Sequence, residues 1–332
     1  MSRRAWAAVR LLGGVLVLAV VVWRVGPDPL VDGVRRLGSG TLLAALALGA
    51  ATTLCQAWRW RVVADALGDE LALPAATAAC YRSQFLNSAL PGGVLGDVHR
   101  GVRSGIDAGD LGRGLRAVAW ERVAGQLVQG AVALAVLAVY PSPLQAAVPW
   151  IALLGAGAVG VLLGTGRGVA RHGPARVGRA LRGAALEARG CLLRPTVLAP
   201  VLLASLLAVG GYVAMFLVAA RAAGVQASAQ RLLPLALVVL LAAAIPVNVA
   251  GWGPREGAAV WVFASADVGA PAGGSVATAF GVLTLVAVLP GAVVLLAGRR
   301  RPPPAVRPAD PLRGSVPVVV RGGIREDGAA HG

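Results

Sequence analysis

The feature that most constrains this chain is an apolar run, Val123–Gly166, in which no side chain is charged. A helix crosses a bilayer with about 20 residues, so this run is long enough for two crossings, divided by Pro141, Pro143 and Pro149. Hydrophobic residues make up 57% of the 332-residue chain and charged residues 14%, a composition that excludes a soluble domain. The sequence therefore predicts an all-α, polytopic transmembrane helix bundle with about six spans, of which the others lie near 6–23, 41–58, 197–220 and 275–297.

Two further apolar segments are interrupted by proline and glycine. The first, Leu71–Gly96, contains Arg82 and the sequence Pro-Gly-Gly at 91–93, and the second, Leu232–Ala264, is broken between Pro246 and Pro254. Each half is too short to cross a bilayer. A broken backbone at membrane depth also needs protein or a water-filled cavity to satisfy its hydrogen bonds. We therefore predict two re-entrant helical hairpins.

The arginines predict the orientation of the chain. They account for a net charge of +16 but do not form one basic domain, which excludes nucleic acid as a partner. They lie in short loops, where arginine sets topology and meets anionic lipid. With both termini on the cytoplasmic side of a bacterial inner membrane, the cytoplasmic loops hold the arginines of 59–122, 167–194 and the tail. The outer loops then hold only Arg24, Arg35, Arg36, Arg221 and Arg231. On this assignment, the first hairpin enters the membrane from the cytoplasm and the second from outside.

The chain divides by composition into a transmembrane domain, 1–298, and a tail, 299–332, that is rich in proline and arginine. Such a tail cannot bury a core, and we expect it to be disordered in the cytoplasm. The three cysteines and three histidines are scattered along the chain. We therefore expect neither a metal site nor a cofactor.

The first candidate site follows the first break, in the sequence LNSALPGGVLGDVHR at 86–100. Asp97 and Arg100 are three residues apart and share one face of a helix. Glu121 and Arg122 then open the third span. Because ionisable groups beside a membrane segment are costly unless paired, we expect the pairs Asp97–Arg122 and Glu121–Arg100. The alternative is that these charges only anchor helix ends at the membrane surface.

The second candidate site is the sequence IPVNVAGWGPREG at 245–257. Pro254 suits the first turn of a new helix, whose free N–H groups and dipole form an anion site. Arg255 and Glu256 lie deep in apolar sequence, so they face a cavity or each other. The alternative is a structural kink with a buried ion pair.

The two breaks resemble each other. Ala-Leu-Pro at 89–91 followed by Gly96 matches Ala-Ile-Pro at 244–246 followed by Gly251, 155 residues later. With opposite sides of approach, this match is typical of an inverted-topology repeat, in which interrupted helices mark the binding site. We expect the two breaks to meet near the bilayer midplane and to form one site for a lipid head group.

Together these motifs resemble the transmembrane family of lysylphosphatidylglycerol synthases, also called flippase-like, over about residues 5–298. In bifunctional members of that family, the membrane half is thought to flip aminoacylated phosphatidylglycerol, which a separate cytosolic domain makes from aminoacyl-tRNA. This chain ends about thirty residues after its last span, so the resemblance implies the membrane half without the synthase domain. The lipid then need not be the family's own.

The sequence therefore predicts a membrane protein that binds a polar or anionic lipid and moves its head group across the bilayer. The alternative is a non-transporting partner that presents a lipid-linked precursor to a separate glycosyltransferase or synthase. An enzyme is not expected, because the chain lacks HExxH, GxSxG and paired acidic motifs near a membrane face. The candidate lipid-binding residues are Asn87, Pro91, Gly92, Gly93, Gly96, Asp97, Arg100, Glu121, Arg122, Pro246, Asn248, Gly251, Gly253, Arg255 and Glu256.

The charge asymmetry makes a direct prediction about sidedness. Single cysteines placed at 171–194 or after Arg301 are expected to resist an impermeant thiol reagent in intact cells, and a cysteine placed at 141–145 is expected to react. Each single cysteine is introduced into a variant in which the natural Cys55, Cys80 and Cys191 have been replaced. Labelling of the 171–194 loop in intact cells would reverse the assignment.

Overall fold

The computed structural model describes residues 37–90, 93–150, 190–245 and 253–297, together with a few positions between 152 and 187. Over these ranges the chain is all-helical apart from turns and connecting segments, as the sequence predicts. The helices are α1 (Ser39–Ala66), α2 (Leu73–Ala89), α3 (Leu95–Asp107), α4 (Leu111–Val139), α5 (Pro195–Ala222), α6 (Ala229–Ala243), α7 (Pro254–Ser265), α8 (Ala270–Val288) and α9 (Pro290–Ala297).

Four helical runs are long and apolar enough to cross a membrane. They are Ser39–Ala66, Leu111–Val139, Pro195–Ala222 and Ala270–Leu296, the last combining α8 with most of α9. These runs contain the predicted spans near 41–58 and 197–220 and cover all but the last residue of those near 123–140 and 275–297, so the polytopic bundle is confirmed. The predicted span at 6–23 and the tail at 299–332 lie outside the described residues, as does most of the span predicted after Pro149.

Helix α4 begins earlier than the sequence predicts. It starts at Leu111 rather than near Val123, because the Asp110 side chain caps it by accepting the N–H of Arg113 at 2.9 Å. This bond also lowers the pKa of Asp110. Glu121 therefore lies ten residues inside a long helix and not at the end of a span.

Helices α1 and α5 pack against each other in opposite directions. Gln56 of α1 donates to the Tyr212 hydroxyl of α5 at 2.8 Å, and Arg59, further along α1, reaches Ser205, which lies earlier in α5. Since increasing residue numbers in one helix meet decreasing numbers in the other, the two spans are antiparallel.

Both interrupted segments consist of two short helices joined at the break. Helix α2 packs against α3, and α6 packs against α7. The pairs contain 17 and 13 residues in the first case and 15 and 12 in the second. The predicted interruption of both segments is therefore confirmed, while the side from which each enters the membrane stays a prediction.

The order of elements repeats within the chain. A long helix, a short helix, a break, a second short helix and another long helix occur first as α1–α4 and again as α5–α9. Helix α5 begins 156 residues after α1, and α7 begins 159 residues after α3. Because α1 and α5 are antiparallel, the two halves have the relation that an inverted repeat requires.

Glycine permits a close contact between α3 and α4 in the first half. Gly101 and Gly105 of α3 face Gly114 of α4, and a Cβ atom on Gly114 would overlap the backbone of both. Small residues at this spacing let helix backbones approach in membranes, where burial from water contributes little to helix association. The contact fixes α3, and with it Asp97 and Arg100, against α4.

This contact predicts that Gly114→Ala destabilises the protein by about 1–3 kcal/mol, the usual cost of inserting atoms into a packed core. The measurement is thermal unfolding of the detergent-purified protein. The matched control is Gly130→Ala in the same helix, where a Cβ atom meets nothing within 4 Å and alanine is the better helix former. Equal unfolding temperatures for the two variants would contradict the close contact.

Candidate functional site

Glu121 is the central acidic residue of the site and is 2% exposed. Its Oε1 atom accepts hydrogen bonds from Nε of Arg59 at 2.9 Å and from Nη2 of the same guanidinium. Its Oε2 atom accepts a bond from Nη2 of Arg100 at 2.9 Å. The predicted Glu121–Arg100 pair is therefore confirmed, and one buried carboxylate joins α1, α3 and α4.

Asp97 forms the second acidic centre, in the first turn of α3. Its Oδ1 atom accepts bonds from Ser83 Oγ at 2.7 Å and from Arg100 Nη2 at 3.1 Å. Its Oδ2 atom accepts bonds from Asn87 Nδ2 at 2.7 Å and from Arg122 Nη2 at 3.0 Å. The predicted Asp97–Arg122 pair is confirmed, and so is the shared helix face of Asp97 and Arg100.

Asn87 and Gly96 hold the two sides of the first break together. The Asn87 side chain accepts the N–H of Gly96 at 2.7 Å while it donates to Asp97. A Cβ atom on Gly96 would overlap the Ser83 carbonyl and the Asn87 side chain, so only glycine fits there. Gly93 adopts φ 61°, which also favours glycine. The candidate residues Pro91 and Gly92 lie outside the described residues.

The two buried arginines have further partners beyond the carboxylates. The guanidinium of Arg100 lies 4.5 Å from the ring centroid of Trp60, and its Nη1 atom is 3.0 Å from Cys80 Sγ. Arg59 Nη1 donates to Ser205 Oγ at 3.1 Å, which connects the network to α5. Such compensation is needed because an ionised group buried without partners is very costly.

Arg59 was not among the predicted site residues. In the sequence it follows the apolar run of a span, where arginine ordinarily sets topology. Helix α1 continues for seven residues beyond Arg59, to Ala66, and so places it inside the bundle. Trp60, Val63 and Ala64, which follow Arg59 in α1, are buried as well, so the packed part of the helix extends beyond the apolar run.

Arg255 and Glu256 pair with each other at the second break. Arg255 Nε donates to Glu256 Oε1 at 2.8 Å, and Pro254 occupies the first turn of α7, as predicted. The other carboxylate oxygen of Glu256 accepts the N–H of Gly253, which adopts φ 147°. The Glu256 carboxylate therefore already accepts one of the backbone N–H groups that were expected to bind an anion at the start of α7. Pro246, Asn248 and Gly251 lie outside the described residues.

The described edges of the two breaks line one cavity of about 320 Å³. Gly96 and Glu256 lie outside its lining but support residues that belong to it. The candidate residues that the structure brings together around the cavity are Asn87, Gly93, Asp97, Arg100, Glu121, Arg122, Gly253 and Arg255.

A chain of uncharged polar side chains extends the polar lining from the charged cluster. Thr53 donates to Gln84 at 3.0 Å, Gln84 donates to Gln56 at 3.2 Å, and Gln56 donates to Tyr212 at 2.8 Å. The sequence did not predict this hydrogen-bonded series, because its side chains carry no charge that would require a partner. It links the first half of the repeat to the second at the α1–α5 contact.

Several equivalent positions of the two halves line the cavity, and at some of them the chemistry differs. At four charged or amide positions of the first half, the second half has an apolar side chain 156 or 159 residues later, although Gln56 is matched by the polar Tyr212. Most of the charged lining therefore comes from the first half, the polar wall, and the second half supplies an apolar wall interrupted by Ser205, Tyr212, Arg255 and Thr284. The matched pairs that show this contrast are Arg59 with Met215, Gln84 with Leu240, Glu121 with Phe280 and Gln129 with Val288.

The comparisons with known proteins identify a family for the chain. The family described as Lysylphosphatidylglycerol synthase TM region matches residues 7–291, which connects the chain with membrane proteins of lipid modification or translocation. No curated protein and no solved structure matches the chain. Within the described ranges, no three His, Cys, Asp or Glu side chains are placed to hold a metal ion.

The buried network predicts that Glu121→Gln destabilises the protein by about 3–5 kcal/mol, because the change leaves two buried guanidinium groups without their common counter-charge. Thermal or denaturant unfolding in detergent measures it. The control is Glu187→Gln, whose partner Arg116 has a side chain 48% exposed and whose loss costs about 0–1 kcal/mol. A Glu121→Gln protein as stable as the control would show that the network is solvated.

Proposed function

The chain belongs to the family described as Lysylphosphatidylglycerol synthase TM region, and on this basis we propose that it binds a polar or anionic lipid and translocates it. The lipid moves across the bacterial cytoplasmic membrane, and no covalent bond in it is made or broken by this chain. Its partners are the lipid and, in the cell, a separate enzyme that makes or modifies that lipid or a glycan attached to it.

The observation that carries the proposal is a charged cavity inside an apolar helix bundle. Ionisable residues within membrane segments are rare and mark pathways for polar substrates. Arg59 lies seven residues before the end of α1, and Glu121 lies ten residues after the start of α4. At 1.5 Å per residue, the pair is roughly 10–15 Å along these helices from the arginine-rich end. A lipid head group drawn into the cavity would exchange water for arginine and amide partners at that depth.

The repeat suggests how the head group would pass. The α2–α3 and α6–α7 pairs act as re-entrant hairpins that approach from opposite sides, with both termini of the chain in the cytoplasm. Many transporters with inverted repeats alternate access by rocking one repeat against the other around a fixed site. Here the cavity is lined from both halves, as that motion needs.

Reconstitution into liposomes tests the proposal. The full chain is expected to move nitrobenzoxadiazole-labelled phosphatidylglycerol between leaflets, measured as the fraction of label that external dithionite can reduce. Arg122→Gln is expected to slow this movement several-fold, because Arg122 lines the cavity and is partly exposed there. The control is Arg61→Gln, an exposed arginine that pairs with Asp65 four residues later.

Two outcomes would count against translocation. Label movement equal to that of empty liposomes, with lipid still bound at the cavity, would favour a non-transporting partner that presents a lipid-linked precursor. Equal rates for Arg122→Gln and Arg61→Gln would place the pathway outside this cavity.

A further inference from the structure

The two carboxylates that line the cavity are already occupied by donors from the protein. Both oxygens of Glu121 bond to arginine, and both oxygens of Asp97 bond to an arginine as well as to Ser83 or Asn87. Each of the four oxygens therefore has at least one short hydrogen bond. An incoming ammonium group would have to displace a guanidinium to gain a carboxylate partner, and would release a buried positive charge by doing so.

The cluster also carries excess positive charge. Three arginines, Arg59, Arg100 and Arg122, face two carboxylates, which leaves one positive charge. The Arg255–Glu256 pair at the opposite edge of the cavity is neutral as a unit. Charge balance in a site of low dielectric then favours one added anion.

Arg122 is the member of the cluster that can meet a ligand. Its side chain is 41% exposed, whereas the side chains of Arg59 and Arg100 are 10% and 4% exposed. Its Nη2 atom forms an ion pair with Asp97. The planar guanidinium presents five donors and binds phosphate through charge-assisted bonds.

Resting on the lipid-binding function proposed above, we infer that the cavity selects a lipid whose head group is a net-anionic phosphate and rejects a cationic, aminoacylated head group. Arg122 is the specificity-determining residue, and Asp97 orients it. The phosphate lies against the polar wall of the first half.

The apolar wall distinguishes a lipid from a free phosphate. Met215, Leu240 and Phe280 face the cavity from the second half, and they offer no hydrogen bond to a small hydrated anion. They can pack against the glycerol backbone and the first methylenes of an acyl chain, and a soluble head group lacks these van der Waals contacts. A soluble head group should therefore bind more weakly than the whole lipid.

Native mass spectrometry of the full chain in detergent tests the inference with three probes that share the same acyl chains. These are phosphatidylglycerol (anionic), phosphatidylcholine (zwitterionic) and lysylphosphatidylglycerol (cationic), with soluble glycerol phosphate as a competitor. The expected result is saturable binding of one phosphatidylglycerol, about ten-fold tighter than the cationic lipid. Arg122→Gln is expected to abolish this preference, and Arg122→Lys to retain most of it.

The control for non-specific attraction to a basic protein is Arg61→Gln, which should leave the preference unchanged. Binding of lysylphosphatidylglycerol as tight as that of phosphatidylglycerol would overturn the selectivity and leave the lipid-binding function standing. Glycerol phosphate that competes as well as the lipid would overturn the role of the apolar wall. No saturable binding of any lipid would remove the proposed function and this inference together.

Discussion

The arrangement of the site depends on one buried carboxylate shared by two arginines. Glu121 accepts from Arg59 on α1 and from Arg100 on α3, and Arg59 continues to Ser205 on α5. In a bilayer, apolar faces gain little by leaving lipid for protein, so helix association relies on close packing and polar contacts. The ion network and the glycine contact between α3 and α4 thus have the same effect, because each fixes α3 against the long helices. A cavity can remain open beside α3 because these contacts hold its walls.

Repetition of the element order explains where the cavity lies, and divergence of the two halves explains its chemistry. Antiparallel packing of α1 and α5 brings equivalent positions together, so Gln56 meets Tyr212 at the same place in both repeats. An inverted repeat with identical halves would line the cavity with two charged clusters. The second half instead has Met215 and Phe280 where the first has Arg59 and Glu121. Because the two halves differ in this way, an amphipathic ligand in the cavity would contact a polar wall on one side and an apolar wall on the other.

The fold was largely predictable, because a long apolar run predicts a membrane span, and a proline within such a run predicts a break, without knowledge of the rest of the chain. The pairs of Asp97 with Arg122 and of Glu121 with Arg100 were predictable too, since a charge in apolar sequence requires a partner and few were near. Arg59 was not, because an arginine after an apolar run reads as the end of a span, and only the continuation of α1 to Ala66 shows otherwise. Ser205 and Gln84 carry no charge and gave no signal. Their roles come from tertiary packing, which a pattern along one helix does not contain.

The break at Gly93 and the start of α3 show why the charges and the interrupted backbone belong together. Gly96 must be glycine to let α3 begin beside Ser83, and its N–H would lack a partner without Asn87. The Asn87 amide also donates to Asp97. The residue that joins the two sides of the break therefore also orients the carboxylate that pairs with Arg122. The cost of interrupting a helix is therefore offset by the same side chains that form the polar wall. A continuous helix from α2 through α3 would satisfy its own backbone but would move Asp97 away from Ser83, Asn87 and Arg122, and the exposed guanidinium would lose the partner that directs it into the cavity.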